Sequence, residues 1–187
     1  MAFRFTQQET LAAGVERVLR EELTLALDSL HAARSVAEGS SKRDEGIHSA
    51  RKSLKKVRAL VRALEPRFGR LAEQENAALR DIGHSLSGAR DAVAVTEIID
   101  VLVKRFAGEP GVRSLSAVRR KLRSQAAAVP TNLDASYRAV SEVRNRVSEW
   151  PPLPDGFGSL ADGLRETYRR GRKALKGAET EATEVAF

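Results

Sequence analysis

The chain has 187 residues, 42% hydrophobic and 30% charged, with no cysteine and a formal net charge of +7. That length can bury one sizeable core, the missing cysteines exclude disulfides and thiolate metal sites and fit a reducing cytoplasm, and the charge favours an anionic partner. No apolar run approaches the roughly 18 residues of a membrane span, and the start, MAFRFTQQETLAAG, has no signal-peptide core.

The chain reads as helix throughout. In ETLAAGVERVLREELTLALDSLHAA, Leu11, Val15, Val18, Leu19, Leu23, Leu27 and Leu30 recur at three- and four-residue steps, which predicts one apolar face. EGSSKRDEG breaks that helix, and Ser41 with Asp44 marks a new start, a hydroxyl capping backbone donors and an acid at the positive end. The second helix is predicted from about Arg43 to Leu64, stopped by Pro66 and Gly69.

A long third helix is predicted over Arg70 to Phe106, with Leu71, Leu79, Ile82, Leu86, Val93, Ile98, Val101 and Leu102 in its apolar stripe. Gly83 and Gly88 weaken its middle by about 1 kcal/mol each against Ala. Shorter helices follow near Val112 to Ala128 and Asn132 to Glu149, with Pro130 between them. WPPLPDGFG, 150–158, holds three of the six prolines and cannot continue a helix. It divides a first bundle, 1–149, from residues 159–187. Those are read as a sixth helix to about Gly177, belonging to a second, incomplete bundle, and a frayed tail. No strand pattern appears, so the predicted fold class is all-α, a bundle of about six helices.

The most informative stretch is GIHSARKSLKKVRALVRAL, 46–64, which carries one His and six Lys or Arg with no acid before Glu65. Solvated helix faces usually mix both signs, because like charges at i,i+4 repel. At 100° per residue, Ile47, Ala50, Leu54, Val57, Val61 and Leu64 share the side expected to face the core. His48, Arg51, Lys55, Arg58 and Arg62 form a second stripe along its shoulder, with Lys52 and Lys56 farther round. From Arg51 to Arg62 the stripe extends about 16 Å at 1.5 Å per residue. That suits a string of charges better than one small ion.

IHSARKSLKKVRALVRAL, followed by LRDIGHSLSGARDAVAV, resembles the CHAD domain, the conserved histidine α-helical domain family. His48, Arg51, Lys55 and Arg58 match its His-x-x-Arg-x-x-x-Lys/Arg-x-x-Arg helix. Leu86, Ala89, Arg90 and Asp91 match its Leu-x-x-Ala-Arg-Asp element. GLRETYRRGRKAL resembles a third family helix and supplies Arg165, Tyr168, Arg169, Gly171 and Arg172, next to Lys173. The resemblance implies two similar four-helix bundles that bind inorganic polyphosphate along a basic surface, and association with polyphosphate granules. The family carries a second His/Arg/Lys helix, and here the chain stops at Phe187 before one. A fragment or a shortened member is implied, its other half-surface absent or supplied by a second chain in a homodimer.

Residues expected to contact the polyanion are therefore His48, Arg51, Lys52, Lys55, Arg58, Arg62, Arg90, Arg165, Arg169, Arg172 and Lys173. Arg90 has a plain alternative as a salt-bridge partner beside Asp91. The cations from Arg165 to Lys173 could also serve only to stabilise a helix end. Arg113, Arg119, Arg120, Lys121 and Arg123 are distributed around their helix and read as a solvated face.

Catalysis is not expected. GxxxxGK[ST] and HExxH are absent, the acids are scattered, and none falls inside the basic stripe. No cofactor or metal is expected either. Nucleic acid is the rival ligand, through non-specific contacts to duplex phosphates. Base readout would want Asn or Gln on the exposed face and single-strand binding would want stacking aromatics, and residues 42–62 have neither.

Overall fold

The structure, a computed structural model, describes residues 3–87, 98–107, 117–118, 120–121 and 132–185. It is all-α, and among the described residues there is no strand. Helix α1 spans Leu11–Arg34, α2 Ser41–Phe68, α3 Arg70–Ser85, α4 Leu133–Ser148 and α5 Gly158–Val185. Residues 98–105 are also helical.

The first four helices close a ring: α1 packs on α2, α2 on α3, α3 on α4 and α4 back on α1. Cross-helix contacts show each neighbouring pair to be antiparallel. Lys56 meets Glu22, Arg58 meets Asn76, Arg146 meets Glu75 and Ser85 meets Ser136. Along α1 and α4, His31 lies by Tyr137 and Arg34 by Asp134. The result is an up-down-up-down four-helix bundle.

Local chemistry explains the element ends. Thr10 caps α1 by accepting from the Ala13 N–H at 3.2 Å, and Asn132 caps α4 by accepting from Ala135 at 2.9 Å. For α2 the cap is Ser40, which accepts from the Arg43 N–H at 3.3 Å, and not Ser41. Pro66 does not stop α2. Lacking an N–H only in the last turn, it forfeits one bond to the Arg62 carbonyl. The turn is anchored by the Phe68 ring, 4.9 Å from that of Trp150, and closed by the Gly69 N–H on the Glu65 carbonyl at 2.8 Å. Gly69, at φ +50°, is the C-cap of α2 and the N-cap of α3, a backbone turn that a Cβ would strain.

The predicted long third helix ends instead at Ser85. The Ser85 and Ser87 hydroxyls donate to the Ile82 and Gly83 carbonyls at 2.8 and 3.0 Å, competing with helix continuation, and the Ser87 N–H turns back to His84. The phase of the apolar stripe is therefore lost beyond the break. Leu79, Ile82 and Leu86 are buried, whereas Ile98 and Val101 are about 60% exposed. Leu71 is exposed as well, its place taken by Ala72 and Glu75. Val93 lies outside the described residues, as does most of the helix expected over 112–128.

Val15, Val18, Leu19, Leu23, Leu27, Leu30, Ile47, Leu54, Val57, Val61, Leu64, Val140 and Val143 are buried in one core, which α5 joins through Leu160. The Pro-rich segment is fixed at both ends, by Trp150 on Phe68 and by the Asp155 carboxylate accepting from the Ala12 N–H. Gly163 lets α5 lie against α2: a Cβ there would sit 2.0 Å from the Ala63 carbonyl oxygen. From Thr167 to Glu179 every residue of α5 is exposed, and the helix continues through the expected frayed tail to Val185. Residues 173–185 are rich in Ala, Glu and Lys, good helix formers.

Candidate functional site

The core-facing side of α2 is as the apolar spacing predicts, with Ile47, Ala50, Leu54, Val57, Val61 and Leu64 all buried. That fixes the rotation of the helix and decides where its cations go. Arg51, Lys55 and Arg58 fall on the flank toward α3. There they line a cleft of about 150 Å³ together with Leu54, Leu79, Arg80, Gly83, His84 and Ser87. Two turns of α3 supply Arg80 and His84, four residues apart and so on one face. Among the described residues no carboxylate lines it. Asp81 reaches Arg80 from outside, accepting from its Nε at 3.1 Å, and is itself two-thirds exposed.

Arg58 sits deepest in this charge arrangement. Its Nε donates to Asn76 Oδ1 at 3.1 Å, a neutral partner that orients the guanidinium without cancelling its charge. Burial, and then repulsion from Arg62 and Arg80, push Arg58 down from its ordinary value, against a smaller pull from Asp81. A guanidinium stays charged under such a shift, so Arg58 is a desolvated cation with cations for neighbours.

The other predicted site residues are dispersed. His48, near the start of α2, is exposed and does not line the cleft. Lys52 is exposed one turn before Lys56, on the flank toward α1. Lys56 itself donates to the buried Glu22 at 2.6 Å. Arg62 lines a different cavity, of about 250 Å³, with Glu65, Glu73, Glu166, Arg170 and Gly163. Arg165 pairs with Asp162 at 2.8 Å, Arg169 with Glu166, and Arg172 and Lys173 lie on the exposed length of α5. Arg90 and Asp91 lie outside the described residues, as do Arg113, Arg119 and Arg123.

Reading α3 only for its apolar stripe overlooked Arg80 and His84. Their signal was an i,i+4 pair beside the core positions Leu79 and Ile82, visible once α3 is rotated to bury those two. Among the described residues no cluster of His, Asp or Glu is placed to hold a metal ion, and no helix is long and apolar enough to cross a membrane.

A family model described as the CHAD domain matches residues 13–186, most of the chain. The protein belongs to the CHAD domain family. Neither a curated protein nor a solved structure matches it. Within this CHAD domain, the family's His/Arg/Lys helix is α2, and Arg51, Lys55 and Arg58 of its motif are the residues brought to the α3 cleft.

Proposed function

We propose that this CHAD domain binds a linear polyanion, inorganic polyphosphate above all, along the cleft between α2 and α3. The observation that carries the reading is the convergence of Arg51, Lys55, Arg58 and Arg80 on one cleft in which, among the described residues, no carboxylate takes part. Because they converge on one cleft, whereas the cations of α5 are strung along an exposed length of helix, these four act on a single bound chain. Charge-assisted contacts to phosphate are the strong kind, and the forked guanidinium suits them geometrically. Family membership supports polyphosphate as the ligand. The proposed role is binding without turnover, since the lining offers no carboxylate to hold a metal or to act as a base. Association with polyphosphate granules follows from the same reading.

The test is a titration with long-chain polyphosphate, duplex DNA and single-stranded DNA at matched phosphate concentration and salt. Polyphosphate is expected to bind most tightly, with log affinity falling linearly with log salt as counterions are released. Changing Arg51, Lys55 and Arg58 together to Gln is expected to cost at least about a hundredfold, at about 1.5–3 kcal/mol per charge-assisted contact and 1.4 kcal/mol per tenfold. The same change at Arg165, Arg169 and Arg172 is expected to cost far less. Equal losses from both triples, in variants that remain helical by circular dichroism, would show a diffuse basic surface, and tighter binding to duplex DNA would replace polyphosphate as the ligand.

A further inference from the structure

The cation stripe of α2 does not end in solvent. One turn beyond Arg58, Arg62 leaves the cleft and lines the neighbouring cavity, whose lining also holds Glu65, Glu73, Glu166 and Arg170. Arg170 is already committed, its Nε donating to Glu166 Oε1 at 2.8 Å, and Arg169 pairs with the same carboxylate. Two further carboxylates, Glu65 and Glu73, remain around Arg62. Among the described residues the lining thus changes within one helical turn from four cations and no acid to two cations and three acids.

We propose that Glu65, Glu73 and Glu166 end the anion's path along α2, so that the cleft holds a short, fixed run of phosphates over Arg51 to Arg58 and no more. The inference rests on the polyanion reading above and concerns how much of the chain is gripped. A phosphate chain continuing past Arg58 would bring its own negative charge against carboxylates in a partly desolvated cavity, where like charges repel more strongly than in water. Arg62, which spacing alone puts in the binding stripe, faces this acidic cavity instead of the cleft and contributes little. The gripped length is eight residues of helix, seven rises of 1.5 Å or about 10 Å. With four cations in contact, the expected dependence of log affinity on log salt has a slope of about −3, at roughly −0.7 per phosphate for a single strand.

Calorimetric titration with linear phosphates of increasing defined length tests this. In the unmodified protein, affinity per binding site is expected to rise with length and then level off once the Arg51–Arg58 span is filled. Glu65→Gln with Glu73→Gln should move the plateau to longer chains and steepen the salt slope by about 0.7 for each phosphate added to the footprint. Glu73→Lys alone, at an exposed position, should shift both in the same direction and serves if the double variant does not fold. Glu16→Lys, the same change of two charges placed on the exposed face of α1, should move neither. If the unmodified protein binds but plateau and slope are the same in all four proteins, or if Glu16→Lys shifts them as far as Glu73→Lys does, the carboxylates set no boundary and the inference fails alone. If no phosphate chain binds the unmodified protein, the polyanion reading falls and takes the boundary with it.

Discussion

Arg58 on α2 donates through Nε to Asn76 Oδ1 on α3, 3.1 Å away and 18 residues later in the chain. This single bond joins the two walls of the cleft and aims the most desolvated of its guanidiniums. A carboxylate in place of Asn76 would hold Arg58 more firmly but would cancel the charge offered to a phosphate. The amide orients without neutralising.

Asn76→Ala is therefore expected to weaken polyphosphate binding by about 3- to 10-fold, the value of one hydrogen bond at about 0.5–1.5 kcal/mol. In an Arg58→Gln background the same substitution should cost nothing further. A double-mutant cycle measured by calorimetry checks this, and additive losses would show that Asn76 acts independently of Arg58.

Lys56 and Lys55 are adjacent in sequence and opposite in consequence. Lys56 Nζ donates to Glu22 Oε1 at 2.6 Å, and the second oxygen of that buried carboxylate has no hydrogen-bond partner. Lys56→Met strands the charge and is expected to destabilise the fold by about 3 kcal/mol, the low end for a broken buried pair because Lys56 is about a third exposed. Glu22→Leu combined with Lys56→Met should recover much of that loss. Urea unfolding measures both. Polyphosphate affinity of a folded Lys56→Gln protein should stay within a few-fold of the parent, whereas Lys55→Gln should weaken it.

Two glycines of α5 make opposite predictions. A Cβ on Gly163 would lie 2.0 Å from the Ala63 carbonyl oxygen, so Gly163→Ala must push α5 away from α2, at about 1–3 kcal/mol for an overpacked contact. Gly171 has open space around it, and Gly171→Ala should stabilise the helix by about 0.5–1 kcal/mol. Thermal unfolding of the two variants should shift in opposite directions.

At the N-terminus, Glu9 is held at about 2, against an ordinary 4.5, first by the hydrogen bond from Arg17 and then by the Thr6 N–H. The carboxylate is thus favoured in the folded state. Its contribution is present above about pH 4.5 and is lost as pH falls from there through about 2. Glu9→Gln should flatten the pH dependence of stability across that window, measured by urea unfolding at a series of pH values. An unchanged profile would place the acid sensitivity elsewhere.

Much of this architecture is written in local periodicity. The apolar steps of α1 and α2, the break at 150–158, and the placement of α4 follow from which side chains must leave water and from where Pro and Gly interrupt a helix. Those same steps fix the rotation of α2 and so put Arg51, Lys55 and Arg58 on one shoulder. Periodicity could not carry across Ser85, because side-chain hydroxyls competing for carbonyls depend on the geometry of that turn. Nor could it say which helix faces the shoulder. That Arg80 and His84 complete the cleft, that Lys56 turns to Glu22 thirty-four residues back, and that Arg62 shares a cavity with Glu73 and Glu166 are consequences of how the helices pack. A charge pattern along one helix determines how many cations are aligned. Only the neighbouring helices decide which of them meet a carboxylate and which keep their charge for a ligand.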